Sequence, residues 1–293
     1  MKDISSFKNL SHYPVMLDQV IELCSPAKGG HFIDCTFGFG GYTNAILSFP
    51  NTRVISLDRD KCALNYASET KRNYKERFTF HNEKFSNLDK VIKKDFKADF
   101  IIFDLGVSSL QIFNLDRGFS FNYDSILDMR FDLSQKKTAY HIVNNVPENE
   151  LANVIFLNGE ERRSRPIAKK IVKMRPIEKV SGLVEAIRQA TPPFKRDRTL
   201  SRVFQAIRIA VNDELEKLDT FLSTFYDRLE DGGRIVIISF HSLEDRKVKH
   251  SFKSLKNENG FKILTKRPLI PSKEEIIRNS RSRSAKLRSA EKK

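Results

Sequence analysis

The stretch Phe32-Ile33-Asp34-Cys35-Thr36-Phe37-Gly38-Phe39-Gly40-Gly41-Tyr42 constrains the fold more than any other part of the chain. An apolar run ending in a carboxylate and a glycine-dense turn, with a helix expected from about Thr43, is the strand-turn-helix by which α/β proteins hold nucleotide-like ligands. Glycines there let backbone N–H groups approach a ligand with no Cβ in between. About twenty residues on, Val54-Ile55-Ser56-Leu57-Asp58 repeats the buried-strand pattern and ends in an acid placed to accept both hydroxyls of a ribose. Together the two motifs predict an adenosine-bearing ligand. The glycines read G-x-G-G rather than G-x-G-x-x-G. Asp34 would repel a pyrophosphate and attract the ammonium of a methionine moiety, so S-adenosylmethionine fits better than NAD.

Strands of the same type recur at His31–Cys35, Arg53–Asp58, Arg77–His81, Asp99–Asp104 and Arg234–Ser239, the first four separated by helix-length segments, which predicts a parallel α/β sheet. About 130 residues separate the fourth from the fifth, far more than one crossover needs, so a second unit is inserted there. The expected division is a core over 1–110, an inserted, mostly helical substrate-recognition domain over 111–211, and the rest of the core with a basic tail over 212–293. In the insert, Arg117 to Arg130 reads as a loop, Pro147 opens a helix, Glu161 to Val172 is helical and basic, and Ser181 caps Leu183 to Ala190. Phe204, Ile207, Val211, Leu215, Leu218, Leu222 and Phe225 step by three or four and predict one helix from Leu200 to Leu229. The low-complexity tract Asn279 to Ser284 reads as flexible in the free protein.

The formal net charge of +15 is concentrated: residues 246–293 hold 16 Lys and Arg against 4 Glu, and residues 159–202 hold 13 against 5 acids. Two basic regions on a slightly acidic body predict a phosphate backbone as partner. Apolar runs are too short for a membrane span and the first residues lack the apolar core of a secretory signal, so no membrane is involved and a cytoplasmic location is expected. Cys24, Cys35 and Cys62 are odd in number and lack C-x-x-C spacing, which predicts reduced packing thiols and no metal.

Further stretches carry a resemblance: His12-Tyr13-Pro14-Val15-Met16-Leu17, Asp58-Arg59-Asp60, Asp104-Leu105-Gly106-Val107-Ser108-Ser109, Arg117-Gly118-Phe119-Ser120-Phe121, Leu127-Asp128-Met129-Arg130, Arg202-Val203-Phe204-Gln205-Ala206-Ile207-Arg208, Val211-Asn212-Asp213-Glu214-Leu215 and Ile238-Ser239-Phe240-His241-Ser242-Leu243-Glu244-Asp245-Arg246. With the glycine turn, these resemble the RsmH (MraW) methyltransferases in order and over nearly the whole chain. The resemblance implies a class I S-adenosylmethionine-dependent methyltransferase with a Rossmann-like parallel sheet. Its implied reaction is N4-methylation of a cytidine in the decoding region of 16S rRNA within the small ribosomal subunit. It also implies cofactor contacts from Gly40, Gly41 and Tyr42 at the first turn, Asp58 at the ribose, Phe85 beside the adenine, and Asp104 and Gln111 near the methionine and transfer end. Tyr42 stands where the family commonly has His, and Leu110 where Pro is common.

N4-methylation needs alignment and hydrogen-bond acceptors for the amine, whereas C5-methylation needs a cysteine thiolate, and none follows the fourth strand. Candidate acceptors are the carbonyls of Leu105 to Val107 and the side chains of Asn212 and His241. Arg162, Arg163, Arg165, Lys169, Lys170 and Lys173 would meet phosphates, and Phe119 or Phe121 would stack on an extruded base. Competing readings are a non-catalytic RNA-binding assembly factor on the same fold and an amino-methyltransferase of another nucleic-acid target. A homodimer is compatible with all of them.

Overall fold

The computed structural model describes residues 13–106 and 115–293. Two compact units form, Met1–Gly106 with Glu216–Lys293, and Val107–Leu215. In the first, β1 (Gly30–Asp34), β2 (Thr52–Leu57), β3 (Phe78–His81), β4 (Ala98–Asp104) and β5 (Leu229–Ser239) are joined by β6 (Lys262–Ile263) and β7 (Lys286–Glu291). The sheet order is β3-β2-β1-β4-β5-β7-β6. The first five strands are parallel, while β7 runs antiparallel to β5 and to β6. This is the class I methyltransferase architecture, with β1 and β4 neighbouring at the point where the strand order reverses.

Successive residues of a strand point to opposite faces, and both faces here are covered, which is why the strands read as unbroken apolar runs. Phe32, Phe100, Ile102, Val236 and Ile238 pack with α1 (Leu17–Cys24), α2 (Gly41–Leu47) and α3 (Ala63–Tyr74). Their neighbours Ile33, Ile101, Phe103, Ile235 and Ile237 pack on the other side. That second face also buries Leu88 of α4 (Leu88–Val91), and an aromatic group of Phe103, Phe221, Phe225, Phe252 and Phe261 whose consecutive rings lie 4.7–6.1 Å apart.

The second unit is helical. Its core joins α5 (Ala139–Asn145), α6 (Glu148–Gly159), α7 (Ser164–Lys173), α8 (Val180–Gln189) and α9 (Arg196–Asn212) through residues such as Ile155, Ile171, Leu183, Val203 and Ile207. Pro147 sits at the N-cap of α6, one residue before the expected position. Ser181 lies inside α8, not at its cap, and its backbone N–H donates to Asp124 Oδ1 at 2.9 Å.

Two expectations are corrected. The helix expected from Leu200 to Leu229 is two, α9 and α10 (Glu214–Thr224), because Asp213 takes a left-handed conformation with φ 50°, and Leu229 already begins β5. The tract Asn279 to Ser284 is ordered: residues Ser280–Ser284 form a 3-10 turn with Ser282 fully buried. Beyond it, β7 adds an antiparallel strand that the basic composition concealed. No helix among the described residues is long and apolar enough to cross a membrane.

Candidate active site

The carboxyl ends of β1, β2 and β4 bring three acids to one edge of the sheet, where ligands of open α/β sheets bind. Asp34 closes β1 and is fully buried: Thr36 N–H donates to its Oδ1 at 3.1 Å and Thr43 Oγ1 to its Oδ2 at 2.7 Å. This corrects the expectation that Asp34 meets a ligand ammonium, since its carboxylate braces the turn from inside. Burial pushes its pKa up to about 6, with the charge of Asp58 adding and the two hydrogen bonds opposing. A folded-state pKa above the unfolded value means that stability from this group is present below about pH 4 and is lost as pH rises through about 6. Asp34→Asn keeps both hydrogen bonds, because Thr43 can turn its proton to Ser56 Oγ at 2.8 Å. The expected result is a smaller loss of stability between pH 4 and 6 than in the parent, read by chemical denaturation at several pH values.

Asp58, just past β2, is half-buried and accepts from Gly38 N–H at 2.7 Å on Oδ2 and from Asp60 N–H at 2.9 Å on Oδ1. Each carboxylate oxygen takes about two hydrogen bonds, so each retains one for a ligand. Burial raises its pKa. Gly38 itself has φ 54°, and a Cβ there would meet nothing within 4 Å, so this backbone borders open space. Gly40, with φ 77°, caps α2, and a Cβ on it would come within 2.7 Å of Phe37. Gly41 leaves room for Pro14, which a Cβ would strike. The glycine most open to a ligand is therefore Gly38, which the motif contains but which the sequence reading did not single out.

Asp104, at the end of β4 and paired in register with Ile238 of β5, has its Oδ2 3.3 Å from the Tyr42 hydroxyl. Its Oδ1 is buried and has no hydrogen-bond partner among the described residues. Burial, then the charge of Asp34, and also that of Glu244, push its pKa well above the usual carboxylate range. A buried acceptor without a donor, beside two more acids, suits a positively charged group arriving from outside. Tyr42 is buried to 4 % exposure and its hydroxyl also lies 2.6 Å from Val15 O, so its side chain ties the segment before α1 to Asp104.

Comparison with known proteins places the sequence in one family. The whole span of residues 9–293 matches the MraW methylase family. The chain belongs to that family. A protein of Synechococcus elongatus named ribosomal RNA small subunit methyltransferase H is 45% identical over 99% of this chain and 98% of its own length. One of the same name from Thermosipho africanus is 48% identical over 96% of this chain and 97% of its own. A third, from Kosmotoga olearia, is 46% identical over 97% and 98%. This MraW methylase is accordingly a methyltransferase.

Its other expected site residues are placed as follows. Phe85 begins a 3-10 turn after β3, half-buried, its ring 4.4 Å from that of Phe103 and 6.0 Å from that of Phe221. Gln111 lies outside the described residues. His241 is the N-cap of α11 (Ser242–Asn259): its Nδ1 accepts from Glu244 N–H at 3.3 Å and its Nε2 lies 3.2 Å from Glu244 Oε1. Glu244 Oε2 in turn accepts from Phe240 N–H at 2.9 Å. The imidazole thus locks the helix start at the carboxyl edge.

Asn212 is fully buried in the second unit. Its Oδ1 accepts from Phe131 N–H at 2.8 Å, and its Nδ2 donates to Met129 O at 2.7 Å and Arg208 O at 2.9 Å. These bonds engage the amide in holding the 129–131 loop on α9 and leave it a structural role. Asn212→Ala is expected to cost about 2 kcal/mol or more, since two buried backbone groups lose their partner. Denaturant unfolding would show this, with cofactor affinity retained. Phe119 stacks on Phe131 at 5.5 Å and Phe121 meets Phe204 edge-on at 5.6 Å, so both expected stacking rings pack within their own unit. Among the described residues no cluster of His, Cys, Asp and Glu could hold a metal.

Proposed function

We propose that this chain transfers a methyl group from S-adenosylmethionine to N4 of a cytidine in the decoding region of 16S rRNA, acting on the small ribosomal subunit. The observation that carries the reading is the pair of acids at the ends of β2 and β4, Asp58 with acceptor capacity on both oxygens and Asp104 with a buried Oδ1 that has no partner among the described residues. The relatives named as small-subunit rRNA methyltransferases support the substrate class.

When bound, the cofactor supplies a methyl group activated by a positively charged sulfur. Asp58 accepts the ribose hydroxyls, and the open space beside the Gly38 backbone lets the ligand approach the turn shaped by Gly40, Gly41 and Tyr42. Phe85 flanks the adenine, while Asp104 and Gln111 hold the methionine and transfer end. Carbonyls at the end of β4, of Leu105 and Gly106, accept from the target amine and orient its lone pair; Gly106 has φ 102° and turns the chain there. No thiolate is required, and Cys35 would be a poor one, being buried with its thiol pKa pushed up by that burial.

For RNA capture, Arg162, Arg165, Lys169 and Lys173 are exposed on or beside α7 and form no ion pair among the described residues. Phe194, with Lys195 Nζ 5.3 Å from its ring, is at 81 % the most exposed aromatic among the described residues of this unit and is available for stacking. The test is nucleoside analysis of 16S rRNA from cells with and without the gene. Loss of N4-methylcytidine from the decoding region, restored by the purified chain and S-adenosylmethionine on isolated small subunits, is expected; an unchanged nucleoside profile would overturn the proposal.

A further inference from the structure

A cleft of about 410 Å³ opens in the first unit between the later turns of α11, β6 and the end of β7. Its floor is apolar, with Phe252 and Phe261 at 1 % and 0 % exposure. Around it stand Lys249, Lys253, Lys256, Lys266 and Lys293, all exposed and none in an ion pair among the described residues. No Asp or Glu lines it. The nearby acids are engaged elsewhere: Glu291 by Arg234 and Lys262, Asp245 by Arg288 and Lys286, and Glu258 by the hydroxyl of Ser254.

The lysines come from three separate parts of the sequence, so their convergence is a product of the fold and not of one basic run. Lys249, Lys253 and Lys256 share one face of α11 at i, i+4 and i+7. Like charges at that spacing repel in the isolated helix, and the arrangement becomes favourable when a polyanion lies along it. From Lys249 to Lys256 the helix rises roughly 10 Å, too long for one phosphate and suited to several in sequence.

We infer that this cleft seats the sugar-phosphate backbone of the substrate RNA, as an anchor distinct from the transfer edge; the inference rests on the rRNA reading above. His241 caps α11 at the carboxyl edge, and Lys249 and Lys256 lie roughly 12 and 22 Å along the helix from that cap. The cleft therefore contributes affinity and register without touching the cofactor.

The test compares Lys249→Gln/Lys253→Gln with a control of equal charge change, Lys94→Gln/Lys97→Gln, both exposed on the same unit. Glutamine preserves helix propensity. Binding to isolated small subunits and to protein-free 16S rRNA is measured across salt concentrations, together with S-adenosylhomocysteine titration. The expected result is a salt slope shallower by roughly 1.4 in the cleft variant on both RNA forms, from about 0.7 per neutralised phosphate on single strands. The control keeps the parent slope, and the cofactor affinity of both is unchanged. Equal slopes for cleft variant and control, with the parent still methylating subunits, would overturn the cleft and leave the rRNA reading intact. A parent that neither binds nor methylates subunits would overturn that reading itself. An effect on protein-bearing subunits alone would mean an acidic protein partner, and micromolar binding of inorganic phosphate abolished in the cleft variant would mean a small-anion site; either result rejects the RNA backbone.

Discussion

Asp58→Ala is expected to weaken S-adenosylmethionine binding by about 100-fold. The backbone N–H groups of Gly38 and Asp60 fix the carboxylate from two sides at 2.7 and 2.9 Å, so its two remaining acceptor positions are held in place before a ligand arrives. Hydrogen bonds to a charged acceptor contribute about 1.5–3 kcal/mol each, and losing two oriented ones gives about 3 kcal/mol, or two orders of magnitude in affinity. Asp58→Asn should fare no better. Both oxygens already accept from a backbone donor, so either orientation of the amide sets its NH₂ against an N–H. Calorimetric titration with S-adenosylhomocysteine checks both variants, and parental affinity in either would remove Asp58 from the binding site.

The second large effect couples stability to function in opposite directions. Asp104→Asn is expected to raise the melting temperature of the ligand-free protein by roughly 2–4 °C while lowering cofactor affinity and methyl transfer by about 100-fold. The carboxyl is held well above its usual pKa by burial and by the neighbouring charges of Asp34 and Glu244, and its Oδ1 meets no donor among the described residues. Asparagine removes the cost of taking this acid out of water and away from its unfolded-state ionisation, on the order of 1 kcal/mol, which in a chain of this size is a few degrees. The same change removes the attraction for a cationic ligand. Because the ionised form is the one that attracts it, affinity in the parent should also rise with pH as Asp104 ionises. A variant with a lower melting temperature and undiminished affinity would contradict this role.

Much of this arrangement was legible in the sequence because buried parallel strands read as continuous apolar runs, and β1 to β4 lie within a residue or so of their expected bounds. The acids ending β2 and β4 were visible for the same reason. What stayed hidden depends on tertiary partners. In β7 only Leu287 and Ala290 are apolar core residues, while Arg288 is neutralised by Asp245 and Ser289 bonds Thr265, so a basic, serine-rich tail conceals a central strand. The break at Asp213 escaped notice because the apolar stripe continues across α9 and α10. Asp34 misled because an acid at a strand end looks alike in sequence whether its carboxylate turns toward a ligand or, as here, toward Thr36 and Thr43. Asn212 and His241 likewise show polar groups at plausible positions, and only the structure reveals that the Asn212 amide and the His241 Nδ1 are engaged locally.

The most direct measurement is a crystal structure of the chain with S-adenosylhomocysteine. The ribose hydroxyls should lie within hydrogen-bond distance of both Asp58 oxygens, the backbone of Gly38 against the ligand, and the methionine end beside Asp104. A ligand bound away from the carboxyl ends of β1, β2 and β4, with Asp58 and Asp104 untouched, would contradict it.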